Sequence, residues 1–297
     1  MKVFIGTSDP FPNGMASTSR IKNMNNKVSV ITICWNCVGE IERTIKSVLD
    51  QTYPNIEFIV IDGASTDGTL DVINRYKNDI TIMVSEPDKA IYNAMNKGVK
   101  LATGRWCIFM NAGDKFVSDN VVFDMFAANH PKASTKVYYG NTTFAYEDRT
   151  KKSLKAVPVY PTILRCQPYC HQSVFFNIED KRQPFFDEQY KIVSDYNTSL
   201  WYYSKFGKAA FEHRDVLVSE FAAFGGASTS EKNNQKKNLE FLDIWKHYDL
   251  CKKRYIVVRI KYFFRYQQPF SFIKSCLRQY SKRRTKQFND NREISDK

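Results

Sequence analysis

An α/β fold on a mostly parallel sheet is the class this sequence predicts, and three observations predict it. β-branched apolar runs alternate with segments of helical spacing, the links between them are short, and polar motifs recur where strands run out into loops. Residues 28 to 34 (VSVITIC) read as a buried strand ending at Trp35-Asn36. Glu40 to Gln51 then carries Ile41, Ile45, Val48 and Leu49 at helical spacing. The alternation continues with strand Ile56 to Asp62, helix Gly68 to Tyr76, strand Ile80 to Ser85, helix Ala90 to Ala102 and strand Trp106 to Met110. Such units build a sheet covered on both faces, with its ligand crevice beyond the carboxyl ends of the strands. Four polar segments fall there: Asn36, Asp62, Glu86-Pro87-Asp88 and Asn111 to Asp114.

Beyond residue 130 the pattern is less regular. Val137 to Tyr146 reads as a hairpin around Gly140-Asn141, Ser173 to Asn177 as a strand, and Ser194 to Tyr203 and Lys232 to His247 as helices, with a loop at Gly225-Gly226. No internal repeat is present.

At 297 residues, 43% hydrophobic and 14% aromatic, the chain can bury one large core, which excludes wholesale disorder. The net charge of +13 is localised: twelve Lys and Arg and no Asp or Glu lie between Cys251 and Phe288, leaving about +1 on the remainder. A near-neutral body argues against a nucleic-acid partner. Seven scattered cysteines, an odd number, do not form the framework of a small secreted domain, so a reducing cytoplasm is expected. Cys34 and Cys37, and Cys166, Cys170 and His171, lack the repeated spacing of a zinc knuckle. With no run of 18 apolar residues and no basic-then-apolar leader, membrane contact is expected to be peripheral.

Chemistry concentrates in a few strings. DGASTDGT (62 to 69) puts a carboxylate at a strand end, ahead of small turn-formers and a helix start; Asp62 suits a base or ribose hydroxyl, and Asp67 a helix cap. Trp35 suits either stacking on a base or the core. Asp195, at a helix start in SDYN, suits a helix cap or a first-turn acid. His171, in front of the SVFF strand, is a candidate polar contact, beside the plainer role of a hydrogen-bonded structural group.

These strings together resemble the family-two glycosyltransferases of the GT-A fold, especially bacterial enzymes that build surface polysaccharides. VSVITICWN, SVLDQTYPNIEFIVIDGASTDGT, SEPDKAIYNAMNKGVKLATGRW and FMNAGDKF stand in the family's order and spacing over residues 28 to 120, and HQSVFF (171 to 176) and SDYN (194 to 197) continue the match more weakly. The resemblance implies a GT-A-like nucleotide-binding domain and an inverting transfer of a sugar from a nucleoside-diphosphate donor, a UDP-sugar first among them. It implies that Thr32, Asn36, Asp62, Asp88, Asn111 and His171 bind substrate and that Asp195 takes the acceptor's proton. NAGD (111 to 114) stands in for the family's D-x-D-like metal motif, so Asp114 is the expected ligand of Mg²⁺ or Mn²⁺; Asn111 and Gly113 occupy positions where many relatives carry Asp. No QxxRW-like segment accompanies it, so one sugar per encounter is expected. A catalytically inactive nucleotide-sugar or membrane-binding adaptor is the alternative that the thinned metal motif leaves open.

The expected organisation is an N-terminal extension (1–26), a GT-A glycosyltransferase domain (27–230) and a basic C-terminal region (231–297) of amphipathic helices. The extension, which resembles the opening of a GT-B type glycosyltransferase, is read as poorly integrated and without a catalytic role. In the tail, nine Phe and Tyr among the twelve cations suit an anionic membrane surface, with a solvated basic helix pair and nucleic acid as rivals. The expected partners are a nucleotide-sugar donor, a lipid-linked or oligosaccharide acceptor, and the inner face of the plasma membrane.

Overall fold

The computed structural model describes residues 2–5, 26–128, 130–223, 233–252 and 256–257. Ten strands form one sheet in the order β1-β4-β3-β2-β5-β9-β7-β10-β6, with β8 paired to β7. They are β1 (Lys2–Ile5), β2 (Val28–Cys34), β3 (Ile56–Asp62), β4 (Ile82–Ser85), β5 (Trp106–Phe109), β6 (Lys115–Phe116), β7 (Val137–Ala145), β8 (Lys151–Leu154), β9 (Val174–Asn177) and β10 (Phe211–Ala222). The block β4-β3-β2-β5 is parallel throughout, as the short β-α links require, while β9 runs antiparallel to both β5 and β7.

Side-chain alternation explains the two-sided burial. Val28 and Val30 of β2 and Phe58 and Val60 of β3 join one core cluster, with Ile41, Ile45 and Val48 of helix α1 (Ile41–Leu49). Ile31, Ile33, Ile59 and Ile61 face the opposite cluster, with Tyr92, Met95 and Val99 of α3 (Ile91–Leu101). The short helices α2 (Thr69–Asn74) and α4 (Val121–Phe126) complete the first layer. A third cluster joins α5 (Ser194–Phe206) to α6 (Asn234–His247) through Tyr196, Leu200, Leu242 and Trp245.

Two expectations are corrected. Val137 to Tyr146 is not a hairpin around Gly140: β7 runs unbroken through it, and the reversal comes later, where the Tyr146 N–H meets the Thr150 carbonyl at 2.9 Å before β8. Gly140 serves close approach rather than a turn, since a Cβ there would lie 2.5 Å from the Val216 carbonyl oxygen of β10, where the β7–β10 register shifts. The second concerns the extension. Residues 2–5 are integrated, pairing antiparallel with Ile82–Ser85 as an edge strand of the sheet. The expected loop at Gly225-Gly226 and most of the basic segment 251–288 lie outside the described residues. Among the described residues no helix is long and apolar enough to cross a membrane.

Candidate active site

The loops after β2 and β3 are tied to each other before they can bind anything else. Asp62 is fully buried: one carboxylate oxygen accepts the Ser65 hydroxyl at 2.5 Å, the other the Ser65 N–H at 3.0 Å and the Ser85 hydroxyl at 2.7 Å. Ser65 in turn accepts the Asn36 N–H at 2.8 Å, and Asn36 Oδ1 accepts the Thr66 N–H at 2.9 Å. Asn36 has a positive φ of 47°, which Asn tolerates better than most residues. Asp67 accepts the Thr69 N–H at 3.0 Å in the turn before α2; the N-cap position itself is Gly68, so Asp67 closes that turn rather than capping the helix as expected.

Asp62 and Thr32 therefore stand behind the crevice rather than on its wall. Thr32 is also fully buried, its hydroxyl donating to the Met110 carbonyl at 2.7 Å and joining the end of β2 to the loop after β5. The wall itself is made by their neighbours. Trp35, Gly63, Asp88, Ile91 and Asn111 are among the residues around a cavity of about 610 Å³. Asp88 is paired with Lys97 at 2.7 Å, and Lys97 also holds Glu86 at 2.8 Å. Gly63 fits closely here: a Cβ would come 3.3 Å from both the Asp88 carboxylate and the Trp35 ring, which would have to give by a few tenths of an ångström. Trp35 is 69% exposed, so it is a rim residue and not a core one.

A second cavity of about 730 Å³ shares Cys37, Ile91, Asn111 and Ala112 with the first and gathers Asp114, His171, Asp195 and Asn36. Its floor is the turn Asn111–Asp114, stapled to α1: the Thr44 hydroxyl donates to the Asp114 carbonyl at 2.6 Å and accepts the Gly113 N–H at 3.0 Å, while Arg43 donates to the Gly113 carbonyl. Gly113 has φ of +97°, a left-handed turn position that favours glycine. Asp114 accepts the Ala222 N–H at 2.9 Å, and burial pushes its carboxyl up to about 7. Among the described residues, the buried Asn111 Oδ1 has no hydrogen-bond partner.

Asp195 lies in the first turn of α5, where its Oδ1 accepts the Tyr92 hydroxyl at 3.1 Å. His171 stacks on Phe109 at 5.1 Å, and its Nδ1 lies 3.9 Å from Asp195 Oδ2, beyond hydrogen-bond range. Both its ring nitrogens are buried without a partner among the described residues, and burial lowers its pKa, which keeps the ring neutral. Sequence reasoning missed Tyr92 and Arg43. Tyr92 belongs to the SEPDKAIYNAMNKG run, and a hydroxyl on the first turn of a helix that opens from a crevice loop was the available signal. Arg43 reads only as a polar position between core residues of α1. Among the described residues no three His, Cys, Asp or Glu side chains converge as a metal cage, so a cation here would rest on one or two protein oxygens and on its substrate, as Mg²⁺ commonly does.

The profile of the family described as glycosyl transferase family 2 matches residues 29–192. A PGL/p-HBAD biosynthesis glycosyltransferase of Mycobacterium bovis is 25% identical over 210 residues, covering 68% of this chain and 79% of its own. The UDP-Glc:alpha-D-GlcNAc-diphosphoundecaprenol beta-1,3-glucosyltransferase WfaP of Escherichia coli is 33% identical over 121 residues, 40% of this chain and 47% of WfaP. In three dimensions, the crystal structure of S. aureus TarS 1-349 in complex with UDP aligns with a TM-score of 0.54 at 16% identity, covering 75% of this chain and 66% of that one. At that identity the likeness is one of fold.

Proposed function

The chain belongs to glycosyl transferase family 2, and we propose that it is an inverting glycosyltransferase that moves a sugar from a UDP-sugar to a lipid-linked or oligosaccharide acceptor. The observation that carries this reading is the joining of two cavities at Cys37, Ile91, Asn111 and Ala112, one rimmed by Trp35, Gly63 and Asp88 and the other holding Asp114, His171 and Asp195. The 610 Å³ cavity suits the nucleoside, with Asp88 as a polar contact and Trp35 as a stacking platform, while Asn36 reaches the donor from the adjoining 730 Å³ cavity. Asp62 and Thr32 serve it from beneath, holding the turns that form its wall. UDP in the TarS complex and a UDP-sugar in the name of WfaP support the choice of donor, and the diphosphoundecaprenol in that name supports a lipid-linked acceptor.

Mg²⁺ or Mn²⁺ fits beside the turn after β5. Burial raises the Asp114 carboxyl to about 7, and the Asn111 amide oxygen is buried without a partner among the described residues; these two oxygens would hold the ion. An ion held there would supply the positive charge that balances a departing diphosphate. The chain's own residues do the rest. Asp195, oriented by Tyr92, accepts the proton of the acceptor hydroxyl as its oxygen bonds to the anomeric carbon and the bond from that carbon to the diphosphate breaks. Neutral His171 offers one ring N–H to a phosphate or sugar oxygen. The cationic, aromatic tail brings the site to an anionic membrane surface.

Thermal unfolding against UDP, GDP and dTDP, with and without Mn²⁺, tests this reading. At a ligand concentration of about 100 Kd the midpoint rises by the equivalent of about 2.7 kcal/mol. The shift should select UDP, need the metal, and vanish in Asp114→Ala. Asp195→Asn should keep the shift and lose on the order of 100-fold or more in turnover. Absence of a shift with every nucleotide at saturation sinks the donor site, and a shift without turnover by the wild type selects the inactive adaptor.

A further inference from the structure

Helix α5, which carries Asp195, begins without a side-chain cap of its own among the described residues. The amides leading into it are instead met from a distant part of the chain. Glu240, in the middle of α6 and only 9% exposed, accepts the Lys191 N–H through Oε1 at 2.8 Å, and the Ile192 and Val193 N–H groups through Oε2 at 2.9 and 3.2 Å. One carboxylate thus fixes three consecutive peptides directly before the helix. Tyr92 carries that constraint to the base, because its hydroxyl lies 2.9 Å from the Ile192 carbonyl and 3.1 Å from Asp195 Oδ1. The same segment is gripped a second time where the Tyr190 hydroxyl donates to Asp243 of α6 at 2.8 Å.

We propose that Glu240 is a positioning residue for Asp195: from α6 it sets the 191–193 peptides, and through Ile192 and Tyr92 it sets where the base carboxylate stands in the cavity. The inference rests on the reading of Asp195 as the base. Burying a carboxylate away from solvent is costly, and apolar packing such as that of Leu242 and Trp245 would hold α6 against α5 without it. What apolar contacts cannot supply is directional anchoring of three N–H groups, and displacement of a catalytic group by about 1 Å can cost on the order of 100-fold in rate. This also gives α6 a part in catalysis, although it lies beyond the residues 29–192 that the family profile matches.

The test uses the full chain and measures release of nucleoside diphosphate from UDP-glucose, or from GDP-mannose or dTDP-glucose if the thermal screen selects that nucleotide, with Mn²⁺ and water as acceptor. Glu240→Gln replaces one acceptor oxygen by an amide that cannot accept. It should lower kcat on the order of 10- to 100-fold while the donor KM stays within about twofold. The double variant Asp195→Asn/Glu240→Gln should be no slower than Asp195→Asn alone, because Glu240 acts only through the base. Leu242→Ala loosens the same helix contact without touching those amides and should leave kcat near wild type. If Glu240→Gln does not fold, Glu240→Asp, which keeps the charge one methylene short, takes its place in the same cycle. A wild-type kcat in the Glu240 variant beside an inactive Asp195→Asn overturns this inference alone, as does an equal kcat loss in Leu242→Ala or multiplying losses in the double variant. Full turnover by Asp195→Asn overturns the base assignment and this inference with it.

Discussion

Asp114 is a buried carboxyl whose protonation is coupled to folding. Its folded-state pKa of about 7 stands above its ordinary value of 3.8, so the fold favours the neutral form. The sign follows: the group's contribution to stability is fully present below pH 3.8, declines as pH rises through the interval to 7, and stays at its lower level above that. Between pH 5 and 7 that amounts to about 2–3 kcal/mol. Measured as the difference between wild type and Asp114→Asn, stability without metal should fall by that amount across the interval, and Mn²⁺ with nucleotide should recover part of it by favouring the charged form. A difference that does not change with pH rules out the burial argument. The residue scale is also where the sequence was least legible. Asp62 ends β3 and Asp114 ends the turn after β5, yet one turns inward to Ser65 and Ser85 and the other is among the residues around the cavity. A motif fixes the loop a carboxylate belongs to; for Asp62 the inward direction is shared between Ser65 of the same motif and Ser85, 23 residues away, and the second partner leaves no mark in the motif.

Elements were more legible, because hydrophobic period and turn chemistry are local. β2 and β3 run over the residues their β-branched alternation predicts, and α3 differs from its expected span by one residue at each end. The misreading at Gly140 has a physical cause: Gly-Asn is turn chemistry in isolation, whereas here the glycine admits the backbone of β10, which arrives from some 75 residues later in the chain. Gly98 in α3 poses the same question and yields a prediction. In an open helix Gly→Ala would gain up to about 1 kcal/mol. A Cβ at Gly98, however, would sit 2.4 Å from Ile31 Cγ2, on a fully buried β-branched side chain that has little freedom to rotate. Overpacking of this kind costs about 1–3 kcal/mol, so Gly98→Ala should lower the melting temperature by roughly 2–12 °C. A higher melting temperature would show that the sheet yields and that α3 does not need the glycine to lie on β2.

For the whole molecule, the distribution of charge motivates the proposal that catalysis and membrane location reside in separate parts of the chain. Nearly all of the +13 lies between Cys251 and Phe288, while the loops that form both cavities belong to a body of about +1. A polybasic segment contributes about 1 kcal/mol per Lys or Arg near an anionic surface, decaying within a Debye length of about 8–10 Å. Replacing Lys282, Arg283, Arg284 and Lys286 with Gln removes four of those charges and leaves every described residue around the two cavities unchanged. Partition onto vesicles containing phosphatidylglycerol should fall at least about tenfold, and the wild type should lose a similar amount when salt is raised to about 0.5 M. Neutral phosphatidylcholine vesicles should bind both proteins weakly, and the nucleotide-dependent thermal shift should be the same in both. Undiminished binding to anionic vesicles would mean that the aromatic residues or another surface hold the membrane. A lost nucleotide shift would mean that the tail contributes to the donor site, and the division between a neutral catalytic body and a cationic anchor would then fail.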